Sequence, residues 1–455
     1  MHANKNSVLV NNVVSDIDVD LYPFLLGYKD GRIQRLLSSR FVPASENSAA
    51  NRGVATRDVV IDHGTGVSAR LFLPTRAAAG RKQKLPIVVY IHGGAFCTES
   101  AFCRTYHRYA TSLAESAAAL VVSVEYRLAP EHPIPTAYDD ASAALRWVAS
   151  LSDPWLADHA DPARTFLAGD SAGGNIVYHT AVRAGRDGGA GMGIEGVIIV
   201  QPYFWGAERL PSEAAWRDGA AVLQLKVVDS LWPFVTAGQA GNEDPRVNPT
   251  DEEIAALTCR RVMVAVAGKD TLRERGVRLC DRIRDYYARA GGGAGEVTLV
   301  ESEGEDHGFH LYSPLRATSR KLMESIVNFI NQPPEMSGGV RFHAREAAGK
   351  INKKASTTTM TPEFVMLGVP SRPFRDIFGY GMDMKHDGCS SSLTTTCMAY
   401  GTRKIGGRGK AAIAGAFKKA NYGLFMGSVR PNKAYMGPSA AAAALPSTRL
   451  IKNFF

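Results

Sequence analysis

Between about Thr56 and Gln332, six runs built almost wholly of Val, Ile, Leu and small residues alternate with stretches of helical periodicity. "LPIVVYIHGG", "ALVVSVEYRL", "RTFLAGD", "GVIIVQPYF", "RRVMVAVAGKD" and "EVTLVESEGEDH" are nearly continuous in apolar residues, as strands buried on both faces are. Strands of that kind belong to parallel sheets, whose crossovers are helices. The intervening "TYHRYATSLAESA", "AYDDASAALRWVASL", "GGNIVYHTAVRAG" and "RGVRLCDRIRDYYARAG" supply them, and "RATSRKLMESIVNFINQ" reads as a closing amphipathic helix. Two runs upstream, "DVVID" and "SARLFLP", read as an opening antiparallel pair. The predicted fold class is α/β: a mostly parallel eight-stranded sheet between two helical layers, a three-layer sandwich.

That body spans residues 56–333 of 455. The preceding segment, 1–55, contains "DLYPFLLGYKDGRIQRLL", which predicts a short helical pair with exposed aromatics, placed to cap a pocket or to pack on the body. The segment 334–455 is rich in Gly, Ser, Thr, Ala and Lys and has no sustained period, so it is predicted to be a largely disordered, low-complexity tail. The formal net charge of +9 belongs to this tail. Residues 335–455 carry 18 basic and 6 acidic residues, which leaves the body with 35 basic against 38 acidic. Positive charge confined to a segment without groove-reading or aromatic motifs is a solvated segment, so no nucleic-acid partner is expected. No run of about 18 apolar residues occurs, and the N-terminus lacks a basic stretch followed by an apolar core, so neither a membrane span nor a secretory signal is expected. Cys97, Cys103, Cys259, Cys280, Cys389 and Cys397 are scattered without C-x-x-C pairs. That pattern suits reduced thiols rather than a disulfide framework or a zinc site, and a cytosolic location.

Chemistry concentrates at "LAGDSAGGN". The pentapeptide Gly169–Gly173 fits G-x-S-x-G, a pattern that on its own could be a glycine-rich helix start. Here a strand enters and a helix leaves, the setting a nucleophile elbow requires, with Ser171 on a tight bend and Gly169 and Gly173 small because helix and strand approach closely. A serine hydroxyl needs a base, a group that orients the base, and donors for an oxyanion. "YIHGGAF" ends the third strand, and two amides among Gly93, Gly94 and Ala95, with that of Ala172, form the expected donor set. His92 at the root of that loop reads as a brace for the turn. Asp270 ends a late strand 99 residues beyond the serine, and His307 follows 37 residues later at the C-terminal end of the last strand, where sites in open α/β sheets gather. His310 is the rival base; Glu274, Glu305 and Asp306 are alternative acids. "YFWGAERL" and "LWPFVTAG" read either as an aromatic pocket or as core, and Cys97 as packing beside the loop.

Taken together, "HGGAF", "YRLAPEHPIPTAYDD", "GDSAGGN", "GKDTL" and "EDHGFH" resemble the hormone-sensitive-lipase-like (GDXG) α/β-hydrolases. The opening "DVDLYPFLLGYKDGRIQRLL" narrows the resemblance to the plant carboxylesterases, the group related to the gibberellin receptors. It covers about residues 15–333 and has no counterpart for the tail. The resemblance implies an N-terminal lid and hydrolysis of small carboxylic esters by Ser171, His307 and Asp270, with no metal and no cofactor. One departure is that the commoner "HGGG" reads "HGGA" here, with Ala95 in the third place. Two other activities occur on the same scaffold: a hormone-like receptor without the catalytic histidine, and a dehydratase. The presence of all three triad residues argues for the enzyme.

Overall fold

The structure is a computed structural model that describes residues 16–332 apart from 81–83, 189–192, 216–220, 258 and 290–294. Its main sheet has eight strands: β4 (Val54–Val60), β5 (Ser68–Pro74), β6 (Leu85–Ile91), β7 (Leu120–Glu125), β8 (Ala160–Asp170), β9 (Ile194–Val200), β10 (Arg261–Ala267) and β11 (Glu296–Ser302). They lie in the order β11-β10-β9-β8-β6-β7-β5-β4. Every pair from β7 to β11 is parallel, while β5 runs antiparallel to both β4 and β7. The expected three-layer sandwich and its opening antiparallel pair are therefore present.

The continuous apolar runs are explained by burial on both faces. Along β6, Ile87, Val89 and Ile91 point into one core and Val88 and Tyr90 into the other. On β10, Val262, Val264 and Val266 face the first core, and Met263, Ala265 and Ala267 the second. Period-two alternation thus sorts one apolar strand into two hydrophobic layers. The second layer is closed by helices α1 (Arg104–Ala117) and α6 (Ala317–Asn331), the first by α2 (Thr136–Ala149), α3 (Ala172–Arg186) and α5 (Arg273–Arg289), with α4 (Leu225–Val235) beside it. Strand β11 is half-exposed because it is the edge of the sheet.

One expectation is corrected. The segment read as a helical pair forms a three-stranded antiparallel sheet: β1 (Ile17–Leu21), β2 (Leu25–Tyr28) and β3 (Ile33–Arg35). The apolar residues that looked helical are interrupted by turn chemistry. Tyr22-Pro23 separates β1 from β2, and Lys29-Asp30-Gly31 separates β2 from β3, with Gly31 at φ +84° and the Asp30 carboxylate accepting from the Arg32 amide at 3.0 Å. Its aromatics also divide: Tyr22 is exposed, whereas Phe24 joins Leu21 and Leu25 in the first core. Arg35 fixes the end of this small sheet by donating from Nε to Cys97 O at 2.7 Å and from Nη2 to Ala129 O at 3.1 Å. The basic tail and both of its cysteines lie outside the described residues. Among the described residues no helix is long and apolar enough to cross a membrane.

Candidate active site

Strand β8 delivers Ser171 to the C-terminal edge of the sheet, and α3 leaves immediately after it. The serine has φ 53° and ψ −118°, a conformation that non-glycine residues seldom adopt. The two glycines around it are needed for steric reasons. A Cβ on Gly173 would lie 2.1 Å from Ile91 O, and one on Gly169 would lie 2.5 Å from Gly173 O. The elbow therefore closes only because α3 can press directly against β6.

The loops after β10 and β11 bring the other two groups to this point. His307 Nε2 lies 2.9 Å from Ser171 Oγ, and His307 Nδ1 lies 2.8 Å from Asp270 Oδ2. The second carboxylate oxygen of Asp270 accepts from the Leu272 amide at 2.9 Å, so the acid is held from both sides. With Nδ1–H donating to Asp270, Nε2 carries the lone pair that accepts the serine proton. Burial works to lower the His307 pKa, but the charge and hydrogen bond of Asp270 outweigh it, aided by Asp170 and Asp306, and the imidazole titrates above its ordinary range.

None of the rival residues stands in the hydrogen-bonded line from Asp270 to Ser171. His310 is buried edge-on against Tyr109, and burial pushes its pKa down to about 3. His92 donates from Nδ1 to Gly93 O over 2.7 Å and stacks on Tyr126, and burial lowers it to about 4; it braces the loop, as its position suggested. Glu274 accepts from Ser212 and Arg278, and Glu305 from Arg316 and Thr318. Asp306 accepts from the His307 amide at 2.7 Å and the Val222 amide at 2.8 Å, which makes it a support for the main chain at His307.

The glycine loop is more selective than its sequence implied. The Gly93 amide donates to Tyr106 Oη at 2.9 Å, so it is spent inside the protein. That hydroxyl in turn donates to Asp170 Oδ2 at 2.9 Å, and Tyr90 Oη donates to Asp170 Oδ1 at 2.6 Å. Burial raises the Asp170 pKa, and the two tyrosine hydroxyls work against that rise. Neither Tyr90 nor Tyr106 was singled out in the sequence, where each reads as an ordinary aromatic of a strand or a helix. Beyond Gly93 the chain turns through positive φ at Gly94 (102°), Ala95 (55°) and Phe96 (60°). Successive left-handed residues turn their amides into a concavity that can receive an anion. Ala172 opens α3, where an amide has no intrahelical acceptor.

Comparison with known proteins gives the arrangement a family. Residues 88–311 match the α/β-hydrolase fold family. Over 325 residues the chain is 43% identical to the chloroplastic tuliposide A-converting enzyme 1 of Tulipa gesneriana, spanning 69% of this chain and 78% of that one. The 2-hydroxyisoflavanone dehydratase of Glycyrrhiza echinata is 40% identical over 330 residues, 69% of this chain and 96% of that one. Probable carboxylesterase 2 of Arabidopsis thaliana is 36% identical over 319 residues, 70% and 97%. The chain belongs to the plant carboxylesterase group of the α/β-hydrolases. Among solved structures, an esterase of Pyrobaculum calidifontis shares the fold with a TM-score of 0.51 and 27% identity, covering 60% of this chain and 84% of that one.

Within this α/β-hydrolase the aromatic residues near the site are core. Phe96 packs edge-on against both Tyr203 and Trp232, which stack on each other with centroids 6.3 Å apart. Their polar atoms are satisfied internally, Tyr203 Oη by Val228 O and Trp232 Nε1 by Asp244. Cys97 is fully buried, and burial pushes its thiol up to about 12, which leaves it inert.

Proposed function

We propose that the protein is a serine carboxylesterase that cleaves small carboxylic esters through an acyl-enzyme. The observation that carries the reading is the unbroken line of hydrogen bonds from Asp270 through His307 to a serine on a strained strand-to-helix turn. Ser171 attacks the ester carbonyl while His307 Nε2 takes its proton; Asp270 holds the tautomer and stabilises the imidazolium. The oxyanion is received by the amides of Gly94, Ala95 and Ala172, each worth about 3 kcal/mol in the transition state by analogy with other acyl-transfer enzymes. His307 then protonates the departing alcohol, and water releases the acid. Every group the reaction uses is supplied by the chain, so the partner is the ester itself, with no metal or cofactor.

The test is hydrolysis of p-nitrophenyl acetate and butyrate by the wild-type protein and by Ser171→Ala and His307→Ala, with a fluorophosphonate probe. Cleavage lost in both variants and an adduct on Ser171 are expected; ester cleavage retained by Ser171→Ala refutes the assignment. The 40% identity to a 2-hydroxyisoflavanone dehydratase favours one second reading, in which the same amides stabilise an enolate during loss of water. Turnover of a 2-hydroxyisoflavanone with no ester cleavage would select it. We place the protein in the cytosol; fractionation with plastids, the compartment named for the tulip relative, would overturn that placement.

A further inference from the structure

We propose that Gln201 is the positioning residue that sets His307 against Ser171, joining the base, the acid and the nucleophile at the end of β9. The proposal rests on reading Ser171 and His307 as nucleophile and base. Gln201 is the first residue after β9 and is buried, and it holds a left-handed backbone at φ 47° although it is not glycine. Such backbone persists only where surrounding contacts over-determine it.

Three sets of contacts converge here. The Gln201 amide donates to Ala265 O at 2.7 Å, on the strand that leads to Asp270. Its neighbours hold the elbow: Ser171 N donates to Val200 O and Tyr203 N donates to Ser171 O, both at 2.9 Å. The side chain reaches the histidine loop, where Oε1 accepts from Gly308 N at 2.9 Å and Nε2 donates to Asp306 O at 3.4 Å. These two peptide groups flank His307. One needs an acceptor and the other a donor, so a side chain carrying both is required; among residues of this length only an amide or a protonated carboxyl qualifies. A methionine would fill the same space and grip neither.

Positioning of this kind acts on turnover rather than on substrate binding, because displacing the base by a fraction of an ångström weakens proton transfer in the transition state. Gln201→Met, measured on the full chain with p-nitrophenyl butyrate, is expected to lower kcat by about 10- to 100-fold with KM within about twofold. Gln201→Glu, which retains the acceptor and when protonated the donor, is expected to recover most of that loss. Should Gln201→Met not fold, Gln201→Asn, whose amide is too short to reach, carries the same expectation. The downfield proton resonance of His307 Nδ1–H reports the Asp270 bond whether or not an ester is cleaved, and its loss or broadening in the folded Met or Asn variant is expected. A kcat within about twofold of wild type, or equal kcat in Met and Glu variants, together with an unchanged resonance overturns the role of Gln201. A wild-type protein that cleaves no ester, yet loses the resonance on Gln201→Met, overturns the esterase reading and leaves the positioning role standing.

Discussion

Replacing Asp270 by Asn preserves the size of a buried side chain and removes one charge and one acceptor. The consequence can be worked from its two partners. The Leu272 amide, 2.9 Å from Oδ1, requires an acceptor, so the Asn carbonyl stays there and its NH2 turns to His307. The imidazole must then accept at Nδ1, which moves its proton to Nε2, the atom 2.9 Å from Ser171 Oγ. A nitrogen that already carries a proton cannot take one from the serine. Ser-His-Asp enzymes lose roughly 10⁴-fold in kcat by this change of tautomer, or about 5.5 kcal/mol of transition-state stabilisation. Because the same number of buried hydrogen bonds survives, the thermal unfolding midpoint should move little.

The same substitution has a signed effect on pH dependence. In the wild-type protein the Asp270 charge outweighs burial and raises the His307 pKa. The base must be neutral to act, so activity is lost as pH falls through that raised value, and the acid limb of kcat/KM should lie above the range of ordinary imidazole. Without the carboxylate, burial acts against the smaller influences of Asp170 and Asp306, and the limb of the residual activity should move to lower pH. The assay is kcat/KM for p-nitrophenyl butyrate across neutral pH in both proteins. A fall in kcat of less than about tenfold, or a limb that moves upward, refutes the tautomer argument.

Gly173→Ala would set a Cβ 2.1 Å from Ile91 O and 2.6 Å from His92 O, both main-chain atoms of a buried strand end, so a loss of more than about 3 kcal/mol is expected. An unchanged thermal midpoint would mean that the elbow is not closed as described. Ala95→Gly relieves about 1 kcal/mol of left-handed strain and returns a similar amount to the freedom of the unfolded chain. Stability and kcat should therefore stay near wild type, since the donated N–H remains; a large fall in kcat would show that the methyl group shapes the hole. Deletion of residues 335–455, the source of the basic excess, should leave kcat/KM and the unfolding midpoint of the body unchanged, and loss of either refutes the view that this segment is dispensable.

What could be read from the sequence was whatever a local pattern enforces. Continuous apolar runs locate β6 to β11 because all of these but the half-exposed edge strand β11 are buried along most of their length, and two shorter runs mark the antiparallel pair β4 and β5. The order Ser171, Asp270, His307 was legible because the fold delivers strand ends to one edge in a fixed sequence. The N-terminal segment misled because Leu21, Phe24 and Leu25 suit a helical spacing as well as two strand faces, and the deciding turns at Pro23 and Gly31 carry less pattern than the apolar residues around them. Contacts between distant segments left no trace. That Gly93 is unavailable as a donor depends on the Tyr106 hydroxyl arriving from α1, and the grip on His307 depends on Gln201 arriving from β9, 106 residues earlier.

Ala95 joins these two kinds of information. Its residue type looks like the loss of a glycine from an oxyanion loop, and only the backbone shows what that loss amounts to. At φ 55° alanine pays a modest conformational cost, whereas Gly94 at φ 102° has no room for a Cβ, which would lie 2.3 Å from Thr98 O. The loop therefore tolerates alanine at the third place and excludes it at the second. A reaction that uses only the N–H of each residue places no further demand on the side chain, so "HGGA" is compatible with the same chemistry as "HGGG" for a steric reason particular to each position.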